Sequence, residues 1–171
     1  VIETERLLLR PHLLEDFPAC YAMWQDPAVV EYITGKPATE AEAWVRFLGY
    51  VGRWQVMGFG IFALIEKASG QFVGEAGYSD FRRELGPDFD PFPEAAWILA
   101  SAGHGKGYAR EAMTAVQTWL DEKFSPEKTV CIIDPENIPS IRLAEKLGFR
   151  TDGDAGYQQK AIVKFKRTRP E

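Results

Sequence analysis

One glycine-rich stretch decides the fold of this chain: Gly103-His104-Gly105-Lys106-Gly107-Tyr108-Ala109-Arg110-Glu111. It lies between the apolar run 95–100 and an amphipathic helical pattern. A strand, a turn of bare backbone N–H groups and a helix N-terminus together suit an anion such as a diphosphate. The spacing excludes a P-loop, because no Ser or Thr follows the lysine, and it excludes a dinucleotide fingerprint, because Tyr108 and Arg110 stand where glycine is required. A flexible connector remains the alternative interpretation of the turn.

A second segment follows the apolar run 129–133, which is typical of a strand buried on both faces. Residues 137–149 predict a short helix, with Pro139 in its first turn and Gly148 as a left-handed stop. The chain from 95 onward is therefore predicted as strand, glycine turn, helix, strand and short helix. The two strands must be parallel, because a helix connects them.

These segments resemble the GNAT superfamily of acyl-CoA-dependent N-acetyltransferases. The family pattern Gln/Arg-x-x-Gly-x-Gly/Ala binds the pyrophosphate of coenzyme A and matches residues 104–109, with His104 in the first position. The pieces Asn137-x-x-Ser140 and 145–149 are similar to the branch that acetylates ribosomal-protein N-termini, the RimJ/RimL-like branch. The opening run 3–11 and the run 94–99 are similar to that branch too.

The resemblance implies an α/β (α+β) fold. We expect a mixed, mostly antiparallel sheet of about six or seven strands, with a splayed parallel central pair and about four flanking helices. Residues 1–171 are expected to form a single GNAT acetyltransferase domain, which agrees with a length and hydrophobic content sufficient for one core.

The other elements are predicted from local patterns. Asp16 is expected to cap a helix running to about Gln25, and Thr39 with Glu42 to form a capping box for a helix to about Trp54. Strands are predicted at 6–11, 59–65, 71–78 and 159–168, with turns over 148–156. The proline-rich segment 79–93 is predicted to be a loop, either a surface loop or a wall of the acceptor site.

The resemblance also implies how coenzyme A is held. The pantetheine arm would bond to backbone around Ile98, Leu99 and Ala100, and Arg142 would meet the 3′-phosphate. The turn and the second helix would complete the coenzyme site, with His104, Gly105, Lys106, Gly107, Tyr108, Ala109, Arg110, Asn137 and Ser140.

Acetyl transfer requires a neutral amine and a contact for the departing thiolate. Deprotonating an α-amine at pH 7 costs roughly 1 kcal/mol and a lysine amine roughly 4.6 kcal/mol. Glu94 is the leading candidate to receive this proton, directly or through water, and its alternative interpretation is an exposed strand-end carboxylate. Glu75 is the second candidate. Many GNAT members carry a tyrosine acid where this chain has Ala144, so Ser140 is predicted to stabilise the thiolate, or else to be only a helix-start residue.

Composition and charge limit the remaining possibilities. A net charge of −5 argues against a nucleic-acid surface and suits a cationic amine. No membrane span or signal peptide is evident, which predicts a cytoplasmic protein. The two cysteines and two histidines show no ligand spacing, so no metal is expected and both thiols should simply pack. The protein is expected to be a monomer or a homodimer.

The predicted activity is transfer of an acetyl group from acetyl-CoA to a primary amine by direct attack, possibly a protein N-terminal α-amine. A covalent Ser or Cys route would need a histidine base, and His12 and His104 are assigned to a first strand and the turn. Two alternatives stay open. The acceptor could be a small amine such as an antibiotic, a polyamine or an amino acid, or the chain could bind acyl-CoA without catalysis.

Overall fold

The computed structural model describes residues 1–169. Within them one mixed sheet of eight strands runs in the order β1-β2-β3-β4-β5-β6-β8-β7. All neighbours pair antiparallel except β5 and β6, which are parallel, as predicted. The strands are β1 (Ile2–Glu3), β2 (Leu7–Arg10), β3 (Ile61–Glu66), β4 (Phe72–Ser79), β5 (Glu94–Leu99), β6 (Lys128–Ile133), β7 (Arg150–Tyr157) and β8 (Lys160–Thr168).

Helices cover both faces of the sheet. Those in the described residues are α1 (Phe17–Gln25), α2 (Pro27–Val30), α3 (Glu40–Met57), α4 (Tyr108–Phe124) and α5 (Ile138–Lys146), with 3₁₀ turns at Leu14–Asp16 and Ser101–Gly103. Side chains of α1, α2 and α3 share a cluster with Ile98 of β5, whereas α4 and α5 pack with Leu99 and Ala95 of the same strand. Successive strand residues point to opposite faces, so these two clusters define an α1–α3 face and an α4–α5 face.

Helix α4 is held by a stripe of apolar residues at helical spacing. Ala112, Met113, Val116 and Leu120 are all completely buried against the sheet. Their i, i+3/i+4 spacing places them on one side of the helix. The core therefore fixes the position of the helix N-terminus, which follows directly on the glycine turn.

The expected count of strands and helices was slightly low. Strand β1 and helix α2 were not predicted, and the segment expected to turn over 148–156 is mostly strand β7. The sequence of β7, Arg-Thr-Asp-Gly-Asp-Ala-Gly-Tyr, is poor in β-formers and largely exposed. It becomes a strand because it lies at a sheet edge and pairs with β8, a tertiary contact that local propensity does not contain.

Asp16 occupies the N-cap position of α1, and α1 ends at Gln25, both as predicted, but the expected side-chain capping bond is absent. Its side chain makes no cap hydrogen bond; it accepts from Arg10 at 2.6 and 2.9 Å and from the backbone N–H of Leu13 at 2.7 Å. The capping box of Thr39 and Glu42 is confirmed, with reciprocal bonds of 2.9 and 3.2 Å. The helix that it starts, α3, ends at Met57, slightly later than predicted.

The sheet opens between its two parallel strands. β5 and β6 share one register pair, Glu94 with Val130, and the amide of Val130 donates to the carbonyl of Pro93 at 3.0 Å. Beyond that pair the strands diverge toward their carboxyl ends, which leaves a gap in the centre of the sheet.

Cys20 and Cys131 are buried free thiols, as predicted. None of the helices in the described part of the chain combines the length and apolarity needed to cross a bilayer.

Candidate active site

The glycine turn exposes backbone amides at the start of α4. Gly105 and Gly107 have φ of 72° and 78°, the left-handed region that glycine adopts without steric cost. Gly107 is the N-cap of α4 and no side chain caps that end. The amides of the first helical turn therefore remain open to a ligand, and the helix dipole favours an anion there. Space is available as well, because a Cβ on Gly105 would have no neighbour within 4 Å.

The side chains of His104, Lys106 and Tyr108 contact other residues and not the open amides of the turn. The His104 ring bonds through Nε2 to the carbonyl of Leu99 at 2.8 Å, so it lies against the end of β5. The buried Tyr108 donates its hydroxyl to Glu66, and Lys106 Nζ lies 3.7 Å from the same carboxylate. Arg110 is exposed on α4. A diphosphate at this turn would thus be bound by main chain, with Ala109 contributing its backbone.

The backbone of β5 presents alternate residues to the gap. The amide of Ala100 donates to Val73 of β4 at 3.0 Å, and the carbonyl of Pro93 accepts from β6. Because peptide groups of a strand alternate in direction, Ile98 and Ala100 face β4, whereas Trp97 and Leu99 face the gap. Among the three residues expected to meet pantetheine, only Leu99 directs its peptide N–H and C=O toward the gap. Its carbonyl already accepts a hydrogen bond from the His104 ring. Sequence reasoning missed Trp97, which strand alternation could have indicated.

Ser140 and Trp97 meet across the gap on the α4–α5 face. The indole Nε1–H of Trp97 donates to Ser140 Oγ at 3.3 Å. The amide of Ser140 is capped by Asn137 Oδ1, also at 3.3 Å, so the hydroxyl of Ser140 is not used as a helix cap. Its own proton is therefore available for a ligand in the gap. Asn137 serves α5 as its N-cap, and Arg142 is exposed on the same helix.

Glu75 and Glu94 lie on the opposite, α1–α3 face. Glu75 is directly opposite Ile98, and Glu94 is opposite Ser79; residues paired across antiparallel strands share a face. Gly77 and Ala96 form the surface of the sheet between the two carboxylates. A Cβ on Gly77 would approach the Gly60 carbonyl oxygen to 2.4 Å, so only glycine fits there.

Glu94 is buried and paired, not exposed as the alternative interpretation had it. Its side chain is 4% exposed, and the guanidinium of Arg83 bonds to both of its oxygens at 2.8 to 2.9 Å. That guanidinium lies 4.6 Å from the ring centroid of Phe81 and 4.9 Å from that of Tyr157. Burial raises the pKa of Glu94, and Arg83 opposes this only in part. The loop of Arg83, residues 80–93, thus forms a wall beside Glu94.

Glu75 belongs to a buried polar cluster. His12 Nε2 is 3.1 Å from Glu75 Oε1, and the indole N–H of Trp24 donates to Oε2 at 3.3 Å. Cys20 lies within the same group. Burial, reinforced by the charge of Glu75, raises the pKa of Cys20 above its usual range. The hydrogen bonds that Glu75 accepts from His12 and Trp24 hold its carboxylate in place within this cluster.

A sheet that opens between parallel strands beside an uncapped helix N-terminus is the arrangement implied above for acyl-CoA-dependent acyltransferases. The chain belongs to that class: residues 6–150 match the family model of the Acetyltransferase (GNAT) domain, and the protein is a GNAT acetyltransferase.

Known proteins similar to this chain are named as acetyltransferases. An uncharacterized N-acetyltransferase, p20, of Bacillus licheniformis is 30% identical over 88% of this chain and 82% of its own length. A GNAT-family acetyltransferase structure from Bordetella pertussis is 36% identical, covers 98% of both chains and superposes with a TM-score of 0.88. An acetyltransferase structure from Agrobacterium tumefaciens is 28% identical, with a TM-score of 0.83 and coverage of 98% and 94%.

More distant structures share the fold but are named for different acceptors. They include an aminoglycoside acetyltransferase at 21% identity, the ribosomal α-N-protein acetyltransferase RimL at 13% and a spermidine N-acetyltransferase from Vibrio cholerae at 15%. These likenesses show the fold alone. The comparisons establish the GNAT family without singling out the branch that acetylates ribosomal-protein N-termini.

Proposed function

We propose that the chain transfers an acetyl group from acetyl-CoA to a primary amine, with a protein N-terminal α-amine as the leading acceptor. The observation that carries the proposal is the uncapped N-terminus of α4 beside the gap between β5 and β6. The main chain of residues 105–109 would hold the diphosphate of the coenzyme. The pantetheine arm would then enter the gap along Leu99 and Trp97, whose peptide groups face it.

The proposed proton acceptor and the proposed thiolate contact lie on opposite faces of the sheet. Glu94 lies on the α1–α3 face, and Ser140 lies with Trp97 on the other. An amine approaching from the α1–α3 face would deliver its proton toward Glu94, directly or through water. On the opposite face, the hydroxyl of Ser140 would donate to the departing sulfur. Attack by the amine forms the amide bond as the carbon–sulfur bond breaks, and the thiolate takes up a proton to leave as coenzyme A.

Glu94 is preferred to Glu75 as the proton acceptor. Both are buried, but Glu75 accepts from His12 and Trp24 and is enclosed by α1 and α3. Glu94 borders the loop 80–93, which is a wall that can meet an acceptor. Its raised pKa makes it a better base than an ordinary carboxylate, because a carboxylate of higher pKa binds a proton more tightly.

An α-amine is the leading acceptor for an energetic reason. Its lower pKa means that a larger fraction is neutral near pH 7, so less is asked of a carboxylate that is also paired with Arg83. The net charge of −5 agrees with a cationic acceptor of any kind. Peptide N-termini are therefore the first expected acceptors, and small polyamines or aminoglycosides are the second.

The decisive experiment is an acceptor screen with thiol release from acetyl-CoA as the readout. Peptides that begin with alanine or serine are compared with spermidine, with an aminoglycoside and with free amino acids. Turnover of the peptides, with product mass increased by one acetyl group at the α-nitrogen, supports the proposal. Turnover of a small amine alone would exclude the peptide acceptor, and binding of CoA without turnover of any amine would favour a non-catalytic role.

A further inference from the structure

The first turn of the chain touches the start of α4, which follows it by about a hundred residues. Arg6 Nε donates to Glu111 Oε2 at 2.7 Å, and Arg6 Nη2 lies 2.7 Å from the same oxygen. The backbone N–H of Arg6 and the hydroxyl of Thr4 both donate to Glu111 Oε1, at 2.8 and 2.6 Å. Both oxygens of Glu111 are therefore engaged by the segment that connects β1 to β2.

The same arginine also holds the glycine turn. Arg6 Nη1 donates to the carbonyl of Lys106 at 2.8 Å, and its guanidinium carbon lies 4.6 Å from the ring centroid of Tyr108. A peptide unit is planar and trans, so its C=O and its N–H point in opposite directions. Holding the Lys106 carbonyl toward Arg6 thus directs the amide of Gly107 away from Arg6.

Charge gives Arg6 a second effect on this site. Glu111 lies in the first turn of α4, where a carboxylate suits the helix dipole but repels a bound diphosphate. Pairing with Arg6 compensates that negative charge. The hydrogen bonds from Thr4 and Arg6 also lower the pKa of Glu111 against the opposing effect of burial, which keeps the pair ionised near neutral pH.

We infer that Arg6 is a positioning residue of the diphosphate site: it orients the peptide between Lys106 and Gly107 toward the ligand and compensates the charge of Glu111. The inference rests on the proposed function, since it takes the turn to be the site of the coenzyme diphosphate. It also gives the N-terminal segment a role in coenzyme binding, although that segment is distant from the turn in sequence.

The test compares two thioesters, one with the diphosphate and the nucleotide attached to it and one without them. Acetyl-CoA carries them and S-acetylpantetheine does not, while both present the same acyl group and pantetheine arm. Arg6→Ala should weaken CoA binding, measured by calorimetry, by about tenfold or more, because a charged hydrogen bond and its orientation are lost. The kcat/KM for S-acetylpantetheine should stay within about twofold of wild type if the fold is intact, since Arg6 acts only through the diphosphate site.

Two further variants make the result specific. Arg6→Lys keeps the positive charge but cannot bond to the Lys106 carbonyl and Glu111 in the same fork geometry, so it should show most of the same loss. It also serves if Arg6→Ala folds poorly. Arg10→Ala is the matched control, because Arg10 makes a similar two-point pair with Asp16 on the same strand segment but away from the turn. It should leave the affinity for CoA unchanged.

The outcomes separate the inference from the proposal beneath it. Unchanged CoA affinity in both Arg6 variants would overturn the inference alone. Equal losses with acetyl-CoA and S-acetylpantetheine would also overturn it, because they would assign Arg6 to the general stability of the fold. Failure of the wild-type chain to bind any CoA species would overturn the proposed function, and the inference with it.

Discussion

Two glutamates on neighbouring strands of the sheet show how their surroundings separate chemically identical groups. Glu75 and Glu94 share a face and are both buried. Glu75 is held by an imidazole and an indole inside the protein, whereas Glu94 is held by an arginine of a loop. Their sequence contexts, each at a strand position, do not distinguish them. Substitution of each should therefore give different results.

We expect Glu94→Gln to lower kcat/KM for the amine acceptor by about 100-fold, the usual contribution of a general base. Burial raises the pKa of Glu94, so the wild-type rate should rise with pH through a value above the usual 4.3. In the variant, the rise of kcat/KM with pH that is due to Glu94 should be absent. The rise that is due to deprotonation of the amine itself should remain. The measurement is the pH profile of kcat/KM.

Glu75→Gln is the comparison for that experiment. It removes the charge that faces His12, so it should lower the melting temperature more than it changes the pH profile. If instead Glu75→Gln abolishes the acid limb and Glu94→Gln leaves it intact, the assignment of the base must be exchanged.

Ser140→Ala should lower kcat by about tenfold while the KM for acetyl-CoA changes little, because a contact to the departing sulfur strengthens as charge develops. Steady-state kinetics with varied acetyl-CoA measures both values. Thr118→Ala removes an exposed hydroxyl from α4 and should be neutral. A raised KM at constant kcat would move Ser140 from catalysis to coenzyme binding.

At the scale of single elements, the turn before α4 depends on backbone conformation. Gly107→Val forces a β-branched residue into φ near 78°, a conformation that costs roughly 1–2 kcal/mol for a residue with a side chain. The turn should relax away from this geometry, and the affinity for CoA should fall by at least tenfold. Calorimetric titration with CoA is the measurement.

Gly70→Val provides a matched control for that substitution. Gly70 has φ of 69° and no neighbour within 4 Å of a Cβ, but it lies in the hairpin between β3 and β4. It should cost comparable stability and leave CoA affinity unchanged. Equal affinities in the two variants would show that the turn does not bind the coenzyme.

The elements that sequence predicted best are those with strong local signals. Helix α4 and strand β6 have unbroken apolar patterns, and α3 begins at a capping box. The elements that sequence missed are short or unusual: β1 has two residues, α2 has four, and β7 is rich in Gly and Asp. β1 and β7 form because neighbouring strands supply hydrogen bonds, which is information absent from their own residues. Helix α2 does carry a local signal, the Asp26 cap followed by Pro27, but it is only one turn long.

The candidate site divides in the same way. The glycine spacing predicted an exposed backbone turn, and the structure has left-handed glycines there. The partners of the predicted side chains could not be inferred, because they come from distant segments. Arg83 meets Glu94 from a loop, His12 meets Glu75 from the end of β2, and Trp97 meets Ser140 across the gap.

For the molecule as a whole, two ion pairs, Arg10 with Asp16 and Arg6 with Glu111, make the free energy of unfolding depend on pH in the acid range. Burial opposes ionisation of Asp16 and Glu111, but hydrogen bonds from Arg10 and Leu13 in one case, and from Thr4 and Arg6 in the other, lower the pKa of each. A carboxylate with a lowered folded pKa binds protons less readily than in the unfolded chain. It therefore stabilises the protein above its unfolded pKa, and this contribution is lost as pH falls through the folded pKa.

The expected outcome is a pH-dependent difference between wild type and Glu111→Gln. The unfolding free energy of wild type should exceed that of the variant by a constant amount above about pH 4.3, and the excess should shrink as the pH falls further. Urea unfolding over a range of pH measures it. Glu122→Gln, an exposed change on the same helix, should show no such dependence. A difference that grows with acidity would contradict the sign of the pKa shift.

The gap between β5 and β6 affects how firmly the two parts of the sheet are held together. One bridging residue pair joins β1–β5 to the three strands beyond, so main-chain continuity across the middle of the protein is unusually slight. A molecule lodged in that opening would supply the polar partners that a neighbouring strand normally offers to Trp97 and Leu99. Its co-substrate would then also act as a structural bridge, and the enzyme would be most resistant to unfolding when loaded and ready to react.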